Sequence, residues 1–247
     1  MANEVVVYSF LTTRAGGTSS TLATGMAAAM ADKGHTVMLV DMDMEGGTIV
    51  ASLGLGQSRD RGIQNVLNTT MSADALMAQS IAVPGHQNLQ VIPGLRGGVF
   101  GPELSGPLRS IERGLRGLPV EYVIMDCGHP LSHAGIRSPQ EVLGAMGLAS
   151  DRIFVVVRDE PAWMAHALDV FKPINMEPGH WGEMNLIICE QRKGRIRDQV
   201  RQEYRRRLPD LELLAGWTWN EHQAARASDH SSPYPVGDLP RKLGLIP

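Results

Sequence analysis

Residues 13–23 read TRAGGTSSTLA and join an apolar segment to an alanine-rich one. The preceding Val5–Phe10 (VVVYSF) is β-branched and aromatic and too short for a helix, which predicts a buried strand. The following residues 20–33 contain many alanines, which allow a helix to pack closely on a sheet, and Gly34 is a helix stop signal. This order of strand, glycine turn and helix indicates an α/β fold.

The turn has the layout of a phosphate-binding loop. In such loops glycines let backbone N–H groups converge on phosphate oxygens, and the next helix directs its positive dipole end at them. A lysine normally bridges the outer phosphates, and a Ser or Thr hydroxyl holds Mg²⁺. The hydroxyls are present here, but no lysine lies between Met1 and Asp32. The residues expected to contact a nucleotide are Arg14, Ala15, Gly16, Gly17, Thr18, Ser19, Ser20 and Thr21. The loop alone leaves the binding of ATP and Mg²⁺ open.

The rest of the chain alternates apolar strands with helical segments. Further strands are predicted at Thr36–Asp41, Leu89–Ile92, Tyr122–Asp126, Ile153–Val157, Leu186–Cys189 and Glu212–Ala215. Helices are predicted near residues 62–80, 103–117, 137–148, 161–172 and 196–208, and Ser228–Pro240 is predicted to be a surface loop. The alternation predicts a doubly wound, mainly parallel sheet flanked by helices, in one domain spanning residues 1–247.

Composition predicts a soluble cytoplasmic protein. The chain is 43% hydrophobic and 20% charged, with a net charge of −3, which argues against extensive coating of nucleic acid. Cys127 and Cys189 form no disulfide framework or metal pair by spacing and are expected to be free thiols of a reducing cytosol. A signal peptide and an apolar run of about 20 residues are both lacking in the sequence.

Carboxylates follow two of the predicted strands. Asp41 and Asp43 are expected on one side of the chain by alternation, where they suit a water bound to Mg²⁺ or a general base. The alternative is that they cap the next short helix, around Gly47. Val123–Asp126 has the form of a Walker B strand, in which Asp126 would hold the metal through water. His129 in the following turn is expected to be a hydrogen-bonded loop residue.

The order of these motifs resembles the MinD/ParA family of deviant P-loop ATPases, and most closely its CpaE/TadZ branch, which is associated with positioning Tad-type pilus machinery. The resemblance covers about residues 4–240. It is carried by VMLVDMDMEGG (37–47), NLQVIPG (88–94), residues 121–130, SDRIFVVVRD (150–159), EQRKGR (190–195) and residues 217–236. It implies a P-loop fold, a homodimer, and ATP with Mg²⁺ as ligands.

The family loop reads Lys-Gly-Gly-x-Gly-Lys-Ser/Thr, and this chain departs from it. The resemblance places Arg14 at the signature lysine, Ala15 and Gly16 at the paired glycines, Thr18 at the third glycine, Ser19 at the Walker lysine and Ser20 at the metal-binding hydroxyl. Aligning Gly16-Gly17 on the paired glycines leaves the loop one residue short. Thr18 is not expected to adopt positive φ easily, although Arg14 could supply charge across a dimer.

The resemblance also assigns the metal and catalytic residues. Ser20, Asp41 and Asp126 would hold Mg²⁺, and Asp43 would be the catalytic residue of an active enzyme. The family's base-contacting Asn-Arg pair is Cys189-Glu190 here, which weakens the adenine pocket. Since losing a preorganised cation at a transferred phosphate costs on the order of 10²–10⁵ in rate, we expect weak or absent hydrolysis.

These departures predict a positioning or scaffolding pseudo-ATPase, recruited to a pole or to the inner membrane by a protein partner of a pilus or secretion assembly. The alternative is an active ATP-dependent dimer switch for DNA or cargo partitioning. The switch predicts dimerisation that depends on ATP, whereas the scaffold predicts dimerisation without nucleotide or none.

Residues 192–207 form a basic stretch with eight cations in sixteen residues. In a helix Arg197, Arg201 and Arg205 would share a face, which in the ParA branch suits nonspecific contacts with DNA phosphates. The alternative is an ordinary amphipathic surface helix with the apolar residues of the stretch turned inward. Residues 236–247 contain two glycines and two prolines, so we expect no direct membrane insertion through them.

Overall fold

The computed structural model describes residues 4–16, 18–43, 46–56, 60–66, 69, 71–95, 105–129, 149–171, 183–190, 195–208, 212–229 and 232–246. Their strands are β1 (Val6–Thr12), β2 (Val37–Asp41), β3 (Ile81–Ala82), β4 (Leu89–Ile92), β5 (Tyr122–Asp126), β6 (Arg152–Arg158), β7 (Glu183–Glu190) and β8 (Glu212–Thr218). They form one sheet in the order β3-β4-β2-β5-β1-β6-β7-β8. The β3–β4 pair is antiparallel and the other pairs are parallel, which confirms the predicted fold class.

Helices cover both faces of the sheet. They are α1 (Ser19–Ala31), α2 (Ile49–Ser52), α3 (Ala73–Ala78), α4 (Ser105–Arg116), α5 (Pro161–Phe171), α6 (Arg195–Arg207), α7 (Glu221–Asp229) and α8 (Leu239–Lys242). Alternation along β1 sends Val7 and Leu11 into a core beneath α4, α5 and α6, and Tyr8 and Phe10 into a second core beneath α1. Strands buried on both faces explain the nearly unbroken apolar runs of the sequence.

The carboxyl ends of β1, β2 and β5 meet at one edge of the sheet. Asp41 and Asp126 are register partners on neighbouring strands, and Phe10 of β1 pairs with Asp126 on the other side. Because α1 starts just beyond β1, its first turn lies above the two aspartates. The topology therefore places the glycine turn and the acidic strand ends together, as ligand sites in such sheets require.

One predicted helix is wrong. Residues 62–80 were expected to form a single helix, but only a 3₁₀ turn (Ile63–Asn65) and α3 lie there. Gly62 has φ of 148°, outside the helical region, and Ser72 starts α3 by accepting a hydrogen bond from Ala75 N at 3.2 Å. The predicted helix at residues 137–148 lies outside the described residues.

The predicted surface loop Ser228–Pro240 is also partly wrong. Helix α7 extends into it as far as Asp229, and Tyr234, Val236 and Leu239 are buried against the core beneath α1. The close approach is possible because Gly25 of α1 has no side chain, and a Cβ there would lie 2.4 Å from Tyr234 O. In the described part of the chain, none of the helices has the length and apolar character needed to span a bilayer.

Candidate functional site

The glycine turn has a left-handed backbone at two of its described residues. Gly16 has φ of 81°, and Thr18 has φ of 67° and ψ of 12° immediately before Ser19 starts α1. Thr18 is the one non-glycine residue with positive φ in the described part of the chain. Thr18 thus adopts the positive φ that the sequence did not favour, and a β-branched residue held there costs on the order of 1–3 kcal/mol.

Side chains from β6 and α5 hold the loop, and sequence reasoning missed them. The Arg158 guanidinium donates a hydrogen bond to Gly16 O at 2.5 Å, and His166 Nε2 lies 2.8 Å from Thr13 O. Arg158 and His166 are more than 140 residues from the loop in sequence. No local pattern could have linked them to it, although the parallel pairing of β1 with β6 brings the two strand ends together.

Arg14, placed by resemblance at the signature lysine, is exposed at the same edge. Its guanidinium carbon lies 5.3 Å from the centre of the Trp163 ring, and that of Arg158 lies 5.5 Å from it. Trp163 itself is buried. Two arginines therefore share one indole beside the loop, each within cation–π distance.

Asp126 ends β5 in a fully buried position. Burial raises the pKa of its carboxyl to about 6, while the hydroxyls of Ser20 and Ser19 and the Gly128 N–H lower it. The Gly128 N–H donates to Oδ1 at 3.1 Å. Among the described residues, Oδ2 is buried without a hydrogen-bonding partner. A buried carboxylate oxygen without a donor is suited to a cation or a metal-bound water.

Asp41 is also buried, and both its oxygens accept backbone hydrogen bonds. Oδ1 accepts from Asp43 N and Oδ2 from Ile49 N, each at 3.2 Å. Burial, and next the charge of Asp126, raise the pKa of Asp41 to about 8. The contact with Ile49 N agrees with the alternative in which this carboxylate caps the short helix, α2. Gly47 and Gly94 pack against the carboxyl group of Asp41. A Cβ on Gly47 would lie 2.4 Å from Asp41 Oδ2, and a Cβ on Gly94 would lie 2.6 Å from Asp41 Cγ.

Asp43 follows β2 and is partly buried. Its carboxyl group lies against Gly128, where a Cβ would come within 2.5 Å of Asp43 Cγ, and Gly128 has φ of 56°. The charge of Asp43 also adds to the effect of burial in raising the pKa of Asp126. Asp43 therefore interacts electrostatically with Asp126, and it is more exposed than Asp41 and Asp126. His129, in the same turn, is buried.

The residues present fit a magnesium ion only in part. In the described segments no three His, Cys, Asp or Glu side chains are arranged to hold a metal. Mg²⁺ in nucleotide sites uses one or two carboxylates, waters and phosphate oxygens rather than a cage of protein ligands. Ser20 and the unpartnered Oδ2 of Asp126 fit that mode of binding.

The residues that the resemblance places at the base include Glu190, which forms an ion pair with a partly exposed arginine. Glu190, at the end of β7, is 3% exposed, and its Oε1 accepts a hydrogen bond from the Arg201 guanidinium of α6. A Cβ on Gly216 of β8 would collide with both side chains. Burial raises the pKa of the neighbouring Cys189, whose thiol interacts with the Thr18 hydroxyl. Cys127 and Cys189 are both free and buried.

Three arginines in the described part of the basic stretch form ion pairs with glutamates. Arg206 and Arg207 both form ion pairs with Glu203, and Arg205 is exposed. Arg201 donates a hydrogen bond to Glu190 at the end of β7. Val200 and Tyr204 of the same helix are buried. The side chain of Arg197 lies outside the described residues. The nonspecific contact of Arg197, Arg201 and Arg205 with DNA stays a prediction.

Three aromatic rings cluster at the carboxyl end of β8. Trp219 and Tyr234 stack nearly parallel with centroids 5.2 Å apart, and Trp217 meets each of them edge-on. The Tyr234 hydroxyl accepts from Asn220 N at 3.0 Å. These contacts fix the tail against β8.

Solved structures with the same fold include proteins in complex with nucleotides. They include a complex of Cyanothece McdA, as a point variant, with ATP (TM-score 0.72, 12% identity, 99% of this chain and 98% of that one). The septum site-determining protein MinD of Pyrococcus horikoshii OT3, complexed with Mg-ADP, matches with a TM-score of 0.66 and 16% identity over 93% and 87%. A plasmid partition protein of Borrelia burgdorferi matches with a TM-score of 0.66 and 17% identity over 93% and 96%. No protein-family model matches this sequence, and no curated protein is significantly similar to it.

At these identities the likeness shows the fold. The overlap covers 93% or more of this chain and agrees with the doubly wound, mainly parallel sheet expected from the sequence.

Proposed function

We propose that this protein is a ParA/MinD-like positioning or scaffolding protein that binds ATP with Mg²⁺ and hydrolyses it weakly or not at all. The observation that supports the proposal is the glycine turn: Gly16 and Thr18 have positive φ just before the first turn of α1, while Ser19 stands where the resemblance puts the Walker lysine.

Phosphate binding needs mainly the backbone. Residues Ser19, Ser20 and Thr21 are the first turn of α1, whose N–H groups and dipole favour an anion. Ser20 and Asp126 are the proposed metal side, with Mg²⁺ neutralising phosphate charge when bound. Asp41 is proposed to belong to the metal side because it is the register partner of Asp126. Its own oxygens accept hydrogen bonds from Asp43 N and Ile49 N, which order the segment that carries Asp43.

Hydrolysis needs charge that this loop does not carry. Stabilising the transferred phosphate with a fixed cation contributes on the order of 10²–10⁵ in rate. Serine at position 19 supplies no such charge. Asp43 is the residue proposed to act on water if hydrolysis occurs, because it is the accessible carboxylate of the acidic strand ends.

The positioning role is supported by the proteins that share the fold, a septum site-determining protein and a plasmid partition protein among them. A pilus or secretion assembly as the partner rests on the resemblance of residues 37–47 and 150–159 to the CpaE/TadZ branch. The pairing of Arg201, Arg206 and Arg207 with glutamates leaves fewer cations available for DNA, which favours scaffolding over DNA partitioning.

Light scattering coupled to size-exclusion chromatography tests the proposal, with and without ATP·Mg²⁺. A scaffold predicts the same mass in both conditions, as a dimer or a monomer, with bound ATP eluting uncleaved. A monomer that becomes a dimer only with ATP, and returns to a monomer as ADP accumulates, would instead establish the active switch. Asp43→Ala serves as the control, because it would lock such a switch and leave a scaffold unchanged.

A further inference from the structure

The geometry points to Arg158 as the residue that supplies the positive charge missing from the phosphate loop, recognising the polyphosphate chain of a nucleotide. This inference rests on the nucleotide-binding part of the proposed function. It places the compensating cation on another strand of the same chain, where neither the loop sequence nor the motif spacing indicates it.

Topology fixes the position of Arg158 beside the loop. Strands β1 and β6 are parallel, with Thr12 paired to Val156, so Arg158 extends two residues past the end of β1. From there its guanidinium reaches Gly16 O. Burial raises the pKa of Cys189, the thiol that contacts Thr18, and the charge of Arg158 opposes that rise. Arg158 therefore spans the loop from Gly16 towards Thr18.

A second arginine lies against the same ring as Arg158. Arg14 and Arg158 lie 5.3 Å and 5.5 Å from the centre of the Trp163 ring. The indole therefore holds two guanidinium groups beside the loop, each within cation–π distance. Trp163 is 5% exposed, so it forms a rigid platform that keeps both guanidinium groups at the loop.

The carboxylate of Glu160 lies at the longest distance that still counts as an ion pair with Arg158. Its Oε1 lies 4.0 Å from Arg158 Nη1, and its side chain is 41% exposed. Exposed pairs of this kind contribute little, about 0–1 kcal/mol. A phosphate would compete with Glu160 for the guanidinium, so Glu160 is expected to weaken phosphate binding.

An independent observation points to the same ligand. On β5, which flanks β1 on the side opposite β6, the buried Oδ2 of Asp126 lacks a hydrogen-bonding partner within the described residues, which suits a metal ion carried with a polyphosphate. A cation site on one side of the loop and a guanidinium on the other match the two halves of an ATP·Mg²⁺ phosphate chain. A guanidinium can also contact two phosphate oxygens at once, which a lysine cannot.

Isothermal titration calorimetry tests the inference with two probes, ATP·Mg²⁺ and inorganic tripolyphosphate. Arg158→Gln is the main variant, because glutamine can still donate to Gly16 O but carries no charge. We expect it to weaken binding of both probes about 10- to 100-fold, the range for loss of a charged hydrogen bond. Arg158→Lys should recover most of the affinity, and Glu160→Gln should increase it. Arg113→Ala, an exposed arginine on α4, is the matched control and should change nothing.

The outcomes separate the two proposals. Unchanged affinity in Arg158→Gln, with normal binding by the wild type, overturns the role of Arg158 and leaves nucleotide binding standing. Binding of tripolyphosphate but not ATP supports the Arg158 site and contradicts a nucleotide ligand. Failure of the wild type to bind either probe contradicts both. Circular dichroism of each variant confirms the fold, and a misfolded Arg158→Gln leaves Arg158→Lys and Glu160→Gln to decide, since the inference requires Glu160→Gln to bind more tightly.

Discussion

Thr18 is the residue at which sequence rules and the structure of the loop disagree most. Its left-handed backbone is the one that glycine adopts freely in phosphate loops, and here a β-branched side chain occupies it. The contact between its hydroxyl and Cys189 supports the residue in that position. The left-handed conformation of Thr18 is therefore held at a cost in stability, and backbone strain of this kind tends to cluster at functional sites.

Replacing Thr18 separates backbone strain from the side-chain contact. Thr18→Ala and Thr18→Gly both remove the hydroxyl, but only glycine relieves the left-handed strain, which is about 1–2 kcal/mol per residue. We therefore expect Thr18→Gly to have a free energy of unfolding about 1 kcal/mol higher than Thr18→Ala in urea titrations. The same pair at exposed Thr69, whose φ is not positive, should show the opposite order. If the glycine variant were the more stable one at both positions, the backbone strain inferred at Thr18 would be contradicted.

At the scale of elements, the central strands were predictable and the contacts between distant elements were not. The predicted bounds of β4 and β5 match the structure, because each is a short apolar run with clear turn residues around it. The acidic strand ends also came together as parallel strands require. The contact of Arg158 with Gly16 and the pairing of Arg201 with Glu190 depend on tertiary packing that no periodicity encodes. The prediction of a helix over residues 62–80 failed because Gly62 is outside the helical region and Ser72 caps a separate helix, α3, inside the range.

The packing of the tail on α1 depends on Gly25. Alanine has the higher helix propensity, by about 1 kcal/mol, so an exposed site would gain stability from the change. Here the new Cβ would lie 2.4 Å from Tyr234 O and 2.6 Å from Val236 Cγ1. We expect Gly25→Ala to lower the free energy of unfolding by about 1–3 kcal/mol, the usual cost of overpacking. Near-UV circular dichroism should also change, because the stacked Trp219 and Tyr234 move.

The matched control for Gly25→Ala is Gly56→Ala, where a Cβ meets no atom within 4 Å. That variant should keep its stability within about 0.5 kcal/mol, as surface substitutions generally do. Equal stability of the two variants would show that the tail does not press on α1.

At the scale of the whole molecule, the fold brings the acidic strand ends and the first turn of α1 to one edge of the sheet. Arg158 and Arg14 stand beside the same loop on Trp163. The proposed function has this edge hold ATP·Mg²⁺ through the backbone and the arginines. It treats the holding of a nucleotide as separate from its cleavage, because serine at position 19 carries no charge.

The most direct test of that separation is to incubate the protein with radiolabelled ATP and Mg²⁺ and to identify the nucleotide that remains bound after desalting. We predict bound ATP, recovered uncleaved after many minutes. Rapid conversion to ADP, abolished by Asp43→Ala, would contradict the account by showing that the loop hydrolyses ATP without its lysine. The absence of any retained nucleotide, with the protein folded by circular dichroism, would contradict the binding half.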